Sequence, residues 1–242
     1  MQHLVGCHAI AEPPRPSAKI RPLPHRTAMR QLILDLLPDS PPTLDNFVAG
    51  GNGEAVAALT GWLAGQFEAT AFCLHGEAGC GKSHLLQASG FVYVDAAINP
   101  ALAGVTAAEP LAVDNVDALD ADGQVALFAL FNQIKADGGR LLTAAPQPPA
   151  HLALREDLRT RLGSGLIYRL QALSDEEKAA AVAGLAKERA LKLSPEVIAY
   201  LLRHVSRDMR TLAMLVVALD QYTLEQKRPV TLPLLREMLQ TD

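Results

Sequence analysis

The run Gly76-Glu77-Ala78-Gly79-Cys80-Gly81-Lys82-Ser83 constrains the fold of this chain more than any other stretch of its 242 residues. A glycine, four variable residues and then Gly-Lys-Ser is the phosphate-binding P-loop pattern. The chemistry needs Gly76, Gly79 and Gly81 because the backbone must turn tightly while aiming consecutive N–H groups at phosphate oxygens. Lys82 supplies a point charge for the β- and γ-phosphates, and Ser83 a hydroxyl for Mg²⁺. The context agrees. An apolar run, Ala71-Phe72-Cys73-Leu74, precedes the loop as a candidate strand, and a helix-forming run from His84 to Ala88 follows it.

Four more apolar runs recur at strand length: Phe91–Val94, Leu111–Val113, Leu141–Thr143 and Leu166–Tyr168. Helical segments around Glu54–Gln66, Lys82–Ala88 and Gly123–Lys135 lie between strands or beside them, the signature of a parallel sheet with crossovers. After Leu173 the strand signals stop. Ser174 with Glu177 forms a capping box, Ser194-Pro195-Glu196 opens a second helix, a third follows Ser206, and Thr231–Gln240 closes the chain. The expected fold class is therefore α/β, a P-loop NTPase core with a five-stranded parallel sheet, followed by a small all-α lid. The divisions are a leader (1–28), a short apolar motif with its linker (29–43), the nucleotide-binding core (44–172) and the helical lid (173–242).

The leader is rich in Pro and Arg without periodicity and reads as disordered. Its Leu4-Val5-Gly6-Cys7 lacks the charged start and apolar stretch of a lipoprotein signal. Met29 directly precedes the apolar motif, which makes the leader a candidate start-site artefact. Cys7, Cys73 and Cys80 are odd in number and widely spaced, so neither a disulfide framework nor a metal pairing can be read from them. With no apolar run of membrane-spanning length, a reducing cytoplasm is the expected location. The net charge of −4 gives the whole chain no electrostatic attraction for nucleic acid, so little direct DNA binding is expected.

A second acidic site belongs at the end of a neighbouring strand. Leu111-Ala112-Val113-Asp114 fits, with Asp114 placed to hold Mg²⁺. Asn115 follows it. An amide can orient water but cannot take its proton at neutral pH. A strand ending in an Asp-Asn turn is the alternative reading of the pair. Asp117 and Asp120 read as loop and cap residues.

With these motifs in place the chain resembles the DnaA-type AAA+ family, and more narrowly its Hda branch of regulatory inactivators, from about Gln31 to the C-terminus. Phe47-Val48-Ala49-Gly50 with Asn52 is similar to the segment that contacts adenine in this family. Asp114-Asn115-Val116 is similar to the Hda version of the acidic motif, and AAA+ ATPases mostly carry a carboxylate where Asn115 stands. Asp208-Met209-Arg210-Thr211-Leu212 resembles the sensor 2 helix, with Arg210 reaching nucleotide from the lid. Asp157-Leu158-Arg159-Thr160-Arg161-Leu162 resembles the arginine-finger box, with Arg161 as the finger; taken without the family, Arg161 reads equally well as a solvated arginine at a helix end. The segment Gln31-Leu32-Ile33-Leu34-Asp35-Leu36 resembles the peptide that docks on the sliding clamp (the β subunit of DNA polymerase III), with Gln31, Leu32, Leu34 and Leu36 as contacts. An edge strand or amphipathic helix packed on the core is its alternative. Two departures stand out: Pro146 replaces an acidic residue of the sensor 1 region, and the stretch from Ser89 to Pro110 is short, so that one core helix is abbreviated.

The resemblance implies a protein that holds ADP or ATP with Mg²⁺, using Phe47, Val48, Asn52, Gly76, Gly79, Gly81, Lys82, Ser83, His84, Asp114, Asn115 and Arg210. Asn115 and Pro146 together imply weak turnover of its own nucleotide. It implies a clamp-bound negative regulator of replication initiation whose Arg161 stimulates hydrolysis of ATP on the initiator DnaA, with self-assembly left open. The alternative is a DnaA-like initiator or helicase loader with its own ATP cycle. Against it, DnaA ends in a helix-turn-helix domain, and here nothing of that kind is expected after the lid helices. A metabolic P-loop kinase is a third class, but no substrate base accompanies the P-loop.

Overall fold

The computed structural model describes residues 41–205, 208–226 and 228–240. The leader and the motif carrying Gln31, Leu32, Leu34 and Leu36 lie outside these residues, as does Ser206. The elements run α1 (Gly53–Leu63), β1 (Ala71–His75), α2 (Lys82–Ala88), β2 (Val92–Asp95), β3 (Leu111–Asp114), α3 (Ala121–Ala136), β4 (Leu141–Ala145), α4 (Glu156–Gly163) and β5 (Leu166–Arg169). Four helices follow: α5 (Asp175–Glu188), α6 (Pro195–His204), α7 (Met209–Gln226) and α8 (Leu232–Gln240).

The five strands form one parallel sheet in the order β2-β3-β4-β1-β5. The three inner strands read as unbroken apolar runs because both of their faces are covered. Side chains nevertheless alternate between two cores. Leu111, Val113, Leu141 and Ala145 face Leu127, Phe131 and Leu158 of α3 and α4. Phe72, Leu74, Ala112, Leu142 and Ala144 face Leu59 and Trp62 of α1 and Leu85 and Leu86 of α2. The edge strand β5 alternates half-buried and exposed positions, as one covered face requires.

Two sequence expectations differ in extent from the structure. α1 stops at Leu63 rather than near Gln66, because Gly65 adopts φ +83° and Gln66 N–H returns to Gly61 O, a left-handed helix stop. The crossover from Asp95 to Leu111 contains turns and no helix. Helix α4, by contrast, was not expected as an element. Four of its eight residues are charged, with Leu158 and Leu162 as the buried pair, so apolar periodicity is barely visible.

Trp62 anchors the second core. The sole tryptophan of the chain, it is fully buried against Phe72 and Phe91, and its indole N–H donates to Ala69 O at 2.6 Å. Trp62→Ala is expected to lower unfolding stability by roughly 3–5 kcal/mol. Circular dichroism during urea unfolding measures this. A loss below roughly 1 kcal/mol would mean that the ring is not a packing centre.

The helical tail forms a core of its own around Val182, Val197, Leu201, Leu212, Leu215 and Leu219. Both expected caps are present. Ser174 Oγ accepts from Glu177 N–H at 3.1 Å while Glu177 returns a carboxylate oxygen to Ser174 N–H at 2.8 Å, and Ser194 caps α6 ahead of Pro195. No helix among the described residues is long and apolar enough to cross a membrane.

Candidate functional site

A cleft of about 620 Å³ opens between the P-loop, the entry segment around Phe47, and the lid helices α5 and α7. It lies beyond the carboxyl ends of the strands, where parallel α/β sheets hold ligands.

The P-loop wall is shaped by glycine. Gly81 sits at φ +98°, and a Cβ there would lie 2.5 Å from Phe47 Cε2. A Cβ on Gly76 would lie 2.3 Å from Leu170 O, so the loop's first glycine is required by its approach to the end of β5. Gly79, at φ +79°, faces open space. Lys82 Nζ donates to Gly76 O at 2.7 Å and Glu77 O at 2.9 Å, bracing the loop from within. The N–H groups of the first turn of α2 have no partner within that helix and remain for a ligand.

The entry segment packs over this wall. Thr43 and Asn46 exchange side chain-to-backbone hydrogen bonds at 2.9 and 3.1 Å. The His84 ring nitrogen Nε2 meets Thr43 O at 2.9 Å, and the His84 ring leans on Phe47 with centroids 5.3 Å apart. Phe47 and Val48 thus form an apolar wall beside the phosphate cradle. Asn52 behaves otherwise. It is buried off the cleft wall, its amide N–H donating to Gln171 O at 2.9 Å and its Oδ1 accepting from Gln171 N–H at 2.7 Å. In this structure it ties the entry segment to the chain just before the lid.

The lid contributes cations. Asp208 Oδ2 accepts the N–H and hydroxyl of Thr211 at 3.0 and 2.9 Å, which fixes the start of α7 and sets Arg210 on the cleft wall. Lys178 and Arg189 line the same wall, and neither was singled out from the sequence. Lys178 follows Asp175, Glu176 and Glu177 in the first turns of α5, a region where a helix favours anions. That misplaced cation was the only local hint. With Lys82, four Lys and Arg side chains line the cleft together with two acids, Asp117 and Asp208. Asp117, expected as a loop residue, is therefore also a wall residue. Pro146 stands on the wall as well and brings no polar side chain.

The acidic end of the site is layered. Asp114 is buried at 1% exposure behind the wall; its Oδ2 accepts from the Tyr93 hydroxyl at 3.0 Å and its Oδ1 from Asn115 N–H at 2.9 Å. Burial, with the Asp114 charge beside it, pushes the Tyr93 hydroxyl pKa up to about 12. Asn115, at φ +52°, lies on the wall and donates its side-chain amide to Asp95 Oδ1 at 2.8 Å. Asp95, at the end of β2, was missed because no local pattern marks a strand-end aspartate. The cradle and its cations fit a nucleoside polyphosphate. For a divalent ion the available donors are the Ser83 hydroxyl, exposed to the cleft, and the deeper Asp114 carboxylate.

Arg161 stands apart from this cleft. It lies in the last turn of α4 with its guanidinium carbon 5.9 Å from the Phe128 ring centroid. There it borders a separate open concavity with Glu156, Asp157 and Thr160.

His75, next to Gly76, has its pKa lowered from 6.5, first by burial and then by the charges of Arg169, Lys82 and His151. The unfolded chain therefore takes a proton that the folded chain refuses. Stability contributed by this group is complete above 6.5 and is lost as pH falls through the lowered value. Denaturant midpoints of wild type and His75→Gln are expected to converge as pH falls below 6.5. A constant gap across that range would contradict the assignment.

Comparison with known proteins agrees with this geometry. Residues 175–239 match the family model described as Hda, lid domain. Domain III of the Thermotoga maritima replication initiation protein DnaA superposes with a TM-score of 0.64 at 22% identity, covering 85% of this chain and 99% of that one. AMPPCP-bound DnaA from Aquifex aeolicus gives 0.60 at 24% identity over 80% of this chain and 71% of that one. The Thermotoga maritima RuvB Holliday junction branch migration motor gives 0.59 at 16% identity, covering 82% and 71%. The chain thus shares the fold of DnaA domain III and of the RuvB motor, and its helical tail matches the Hda lid model.

Proposed function

We propose that this DnaA-type AAA+ module with an Hda lid is a regulator of replication initiation, which holds its own adenine nucleotide and donates Arg161 to ATP bound on the initiator DnaA. In this reading the nucleotide lies in the cleft, its phosphates against Gly79, Gly81, Lys82 and Ser83 and its base against Phe47 and Val48. Arg210, Lys178 and Arg189 draw the lid onto the phosphates. Ser83 and Asp114 are the residues that would hold Mg²⁺, which would supply neutralisation of phosphate charge. The nucleotide thereby fixes lid against core, and a fixed module presents α4 to a partner.

The observation that carries the reading is the position of Arg161. It is absent from the wall of the chain's own cleft and half-exposed at the end of α4, beside a second concavity. A guanidinium placed there serves another molecule's phosphates better than its own. Its planar fork suits the three oxygens of a γ-phosphoryl group as charge spreads over them.

Residues 31–36 supply the link to the DNA-loaded sliding clamp, with Gln31 in a polar notch and Leu32, Leu34 and Leu36 in an apolar groove. Tethering raises the local concentration of the module beside clamp-loaded DNA without any new contact to DnaA. Deleting residues 31–36 is expected to lower clamp-dependent hydrolysis of DnaA-bound ATP by about 10²-fold or more and to abolish capture of the chain by immobilised clamp. Undiminished capture would remove the clamp from the account and leave the Arg161 assignment standing.

A further inference from the structure

The ends of β2 and β3 hold a chain of hydrogen bonds that the assignments above do not use. Asp95 and Asp114 are register partners across the two strands. Asn115 bridges them with both of its nitrogens, the backbone N–H on Asp114 Oδ1 at 2.9 Å and the side-chain amide on Asp95 Oδ1 at 2.8 Å. Asp95 Oδ1 is itself pinned by Ala97 N–H at 2.9 Å, so the carboxylate is fixed before Asn115 meets it. Asn115 O accepts from Ala118 N–H at 2.8 Å, and its backbone is held at φ +52°. On the cleft wall, therefore, stands an amide held through its backbone N–H and one side-chain hydrogen bond, and the Asp95 oxygen that receives the latter also accepts Ala97 N–H.

We propose that Asp95 is a positioning residue that silences the chain's own nucleotide by dictating an amide at position 115. Two fixed carboxylates already flank that position. A third, at 115, would face Asp95 at hydrogen-bond distance and be repelled from it. The amide converts this repulsion into a charge-assisted hydrogen bond. The consequence falls on hydrolysis. Water must bond to the γ-phosphorus as the bond to the β–γ bridging oxygen breaks, giving ADP and inorganic phosphate, and its proton must leave toward a base or phosphate oxygen. Neither partner of the Asp95–Asn115 pair is placed to receive it: one is an amide, and the other is a carboxylate that does not line the cleft and lies behind that amide.

The pair's polarity can be reversed without dissolving it. In the double variant Asp95→Asn/Asn115→Asp the hydrogen bond persists with the acid now on the cleft wall. The inference rests on the cleft being an ATP site and is independent of the role of Arg161. The experiment is single-turnover release of γ-phosphate by the full chain, expressed per ATP bound, with occupancy measured separately by a fluorescent ATP analogue. General-base catalysis contributes about 10²–10⁴-fold, and a gain of at least about 10²-fold is expected for the double variant. Asn115→Asp alone, which sets a second carboxylate against Asp95, is expected to release phosphate at least about tenfold more slowly than the double variant, because the two charges repel. A double variant that binds ATP but releases phosphate at the wild-type rate overturns the proposal. So does an Asn115→Asp variant as fast as the double, since Asp95 would then place no constraint on position 115. Failure of every form to bind the analogue overturns the nucleotide-site reading itself, and this inference with it.

Discussion

Arg161→Ala is expected to lower hydrolysis of DnaA-bound ATP in the presence of clamp-loaded DNA by about 10³–10⁵-fold, the range over which arginine fingers act. The size follows from timing. Positive charge that arrives only as the γ-phosphoryl group detaches stabilises the transition state more than the ground state. Affinity of the chain for DnaA should change little by comparison, because the end of α4 gives up one half-exposed side chain and its contact with Phe128. Nor should the chain's own nucleotide be lost, as Arg161 is not on that cleft's wall. Arg161→Lys separates charge from shape: the ammonium restores a positive charge but not the fork, and recovery is expected to be small. Single-turnover hydrolysis on preloaded DnaA measures all three forms. An alanine variant within about tenfold of wild type, well short of a finger's range, would remove the assignment.

The second large effect is expected from Gly81→Ala. Two independent costs meet at this position. The backbone at φ +98° is one that L side chains rarely adopt, and the new methyl would press on the Phe47 ring, which itself supports His84. Strain of this kind costs about 1–3 kcal/mol, and displacing Phe47 disturbs the proposed base wall as well. Nucleotide affinity should therefore fall by about 10²-fold or more, at roughly 1.4 kcal/mol per tenfold. Adding Phe47→Ala relieves the collision but not the backbone strain, so the double variant should regain only part of the loss. Titration with a fluorescent ADP analogue tests this. Full recovery would show that the left-handed turn contributes nothing, and no loss in Gly81→Ala would show that the loop does not hold phosphate.

The sequence made some of this legible and hid the rest for identifiable reasons. Strands β1, β3 and β4 are readable because burial on both faces writes continuous apolar runs, and the P-loop because its backbone geometry demands glycine at set spacing. The caps Ser174 and Ser194 announce helices α5 and α6 for a similar reason, since the unpaired N–H groups of a helix start call for a hydroxyl. Helix α4 announces itself poorly, because only Leu158 and Leu162 are buried among charged neighbours. Lys178, Arg189 and Asp95 become site residues only when the lid swings over the sheet or one strand lies beside another, and neither event leaves a local pattern. Asn52 shows the reverse limit. Its motif neighbours Phe47 and Val48 reach the cleft, while its own amide is committed to Gln171.

The central claim is that the Arg161 guanidinium acts on a triphosphate held by another protein. A structure of the chain bound to DnaA carrying a non-hydrolysable ATP analogue, on clamp-loaded DNA, tests it most directly. The account predicts the guanidinium nitrogens within hydrogen-bond distance of γ-phosphate oxygens on DnaA. The same contact made with nucleotide in the chain's own cleft, or Arg161 facing solvent with the complex fully assembled, would contradict it.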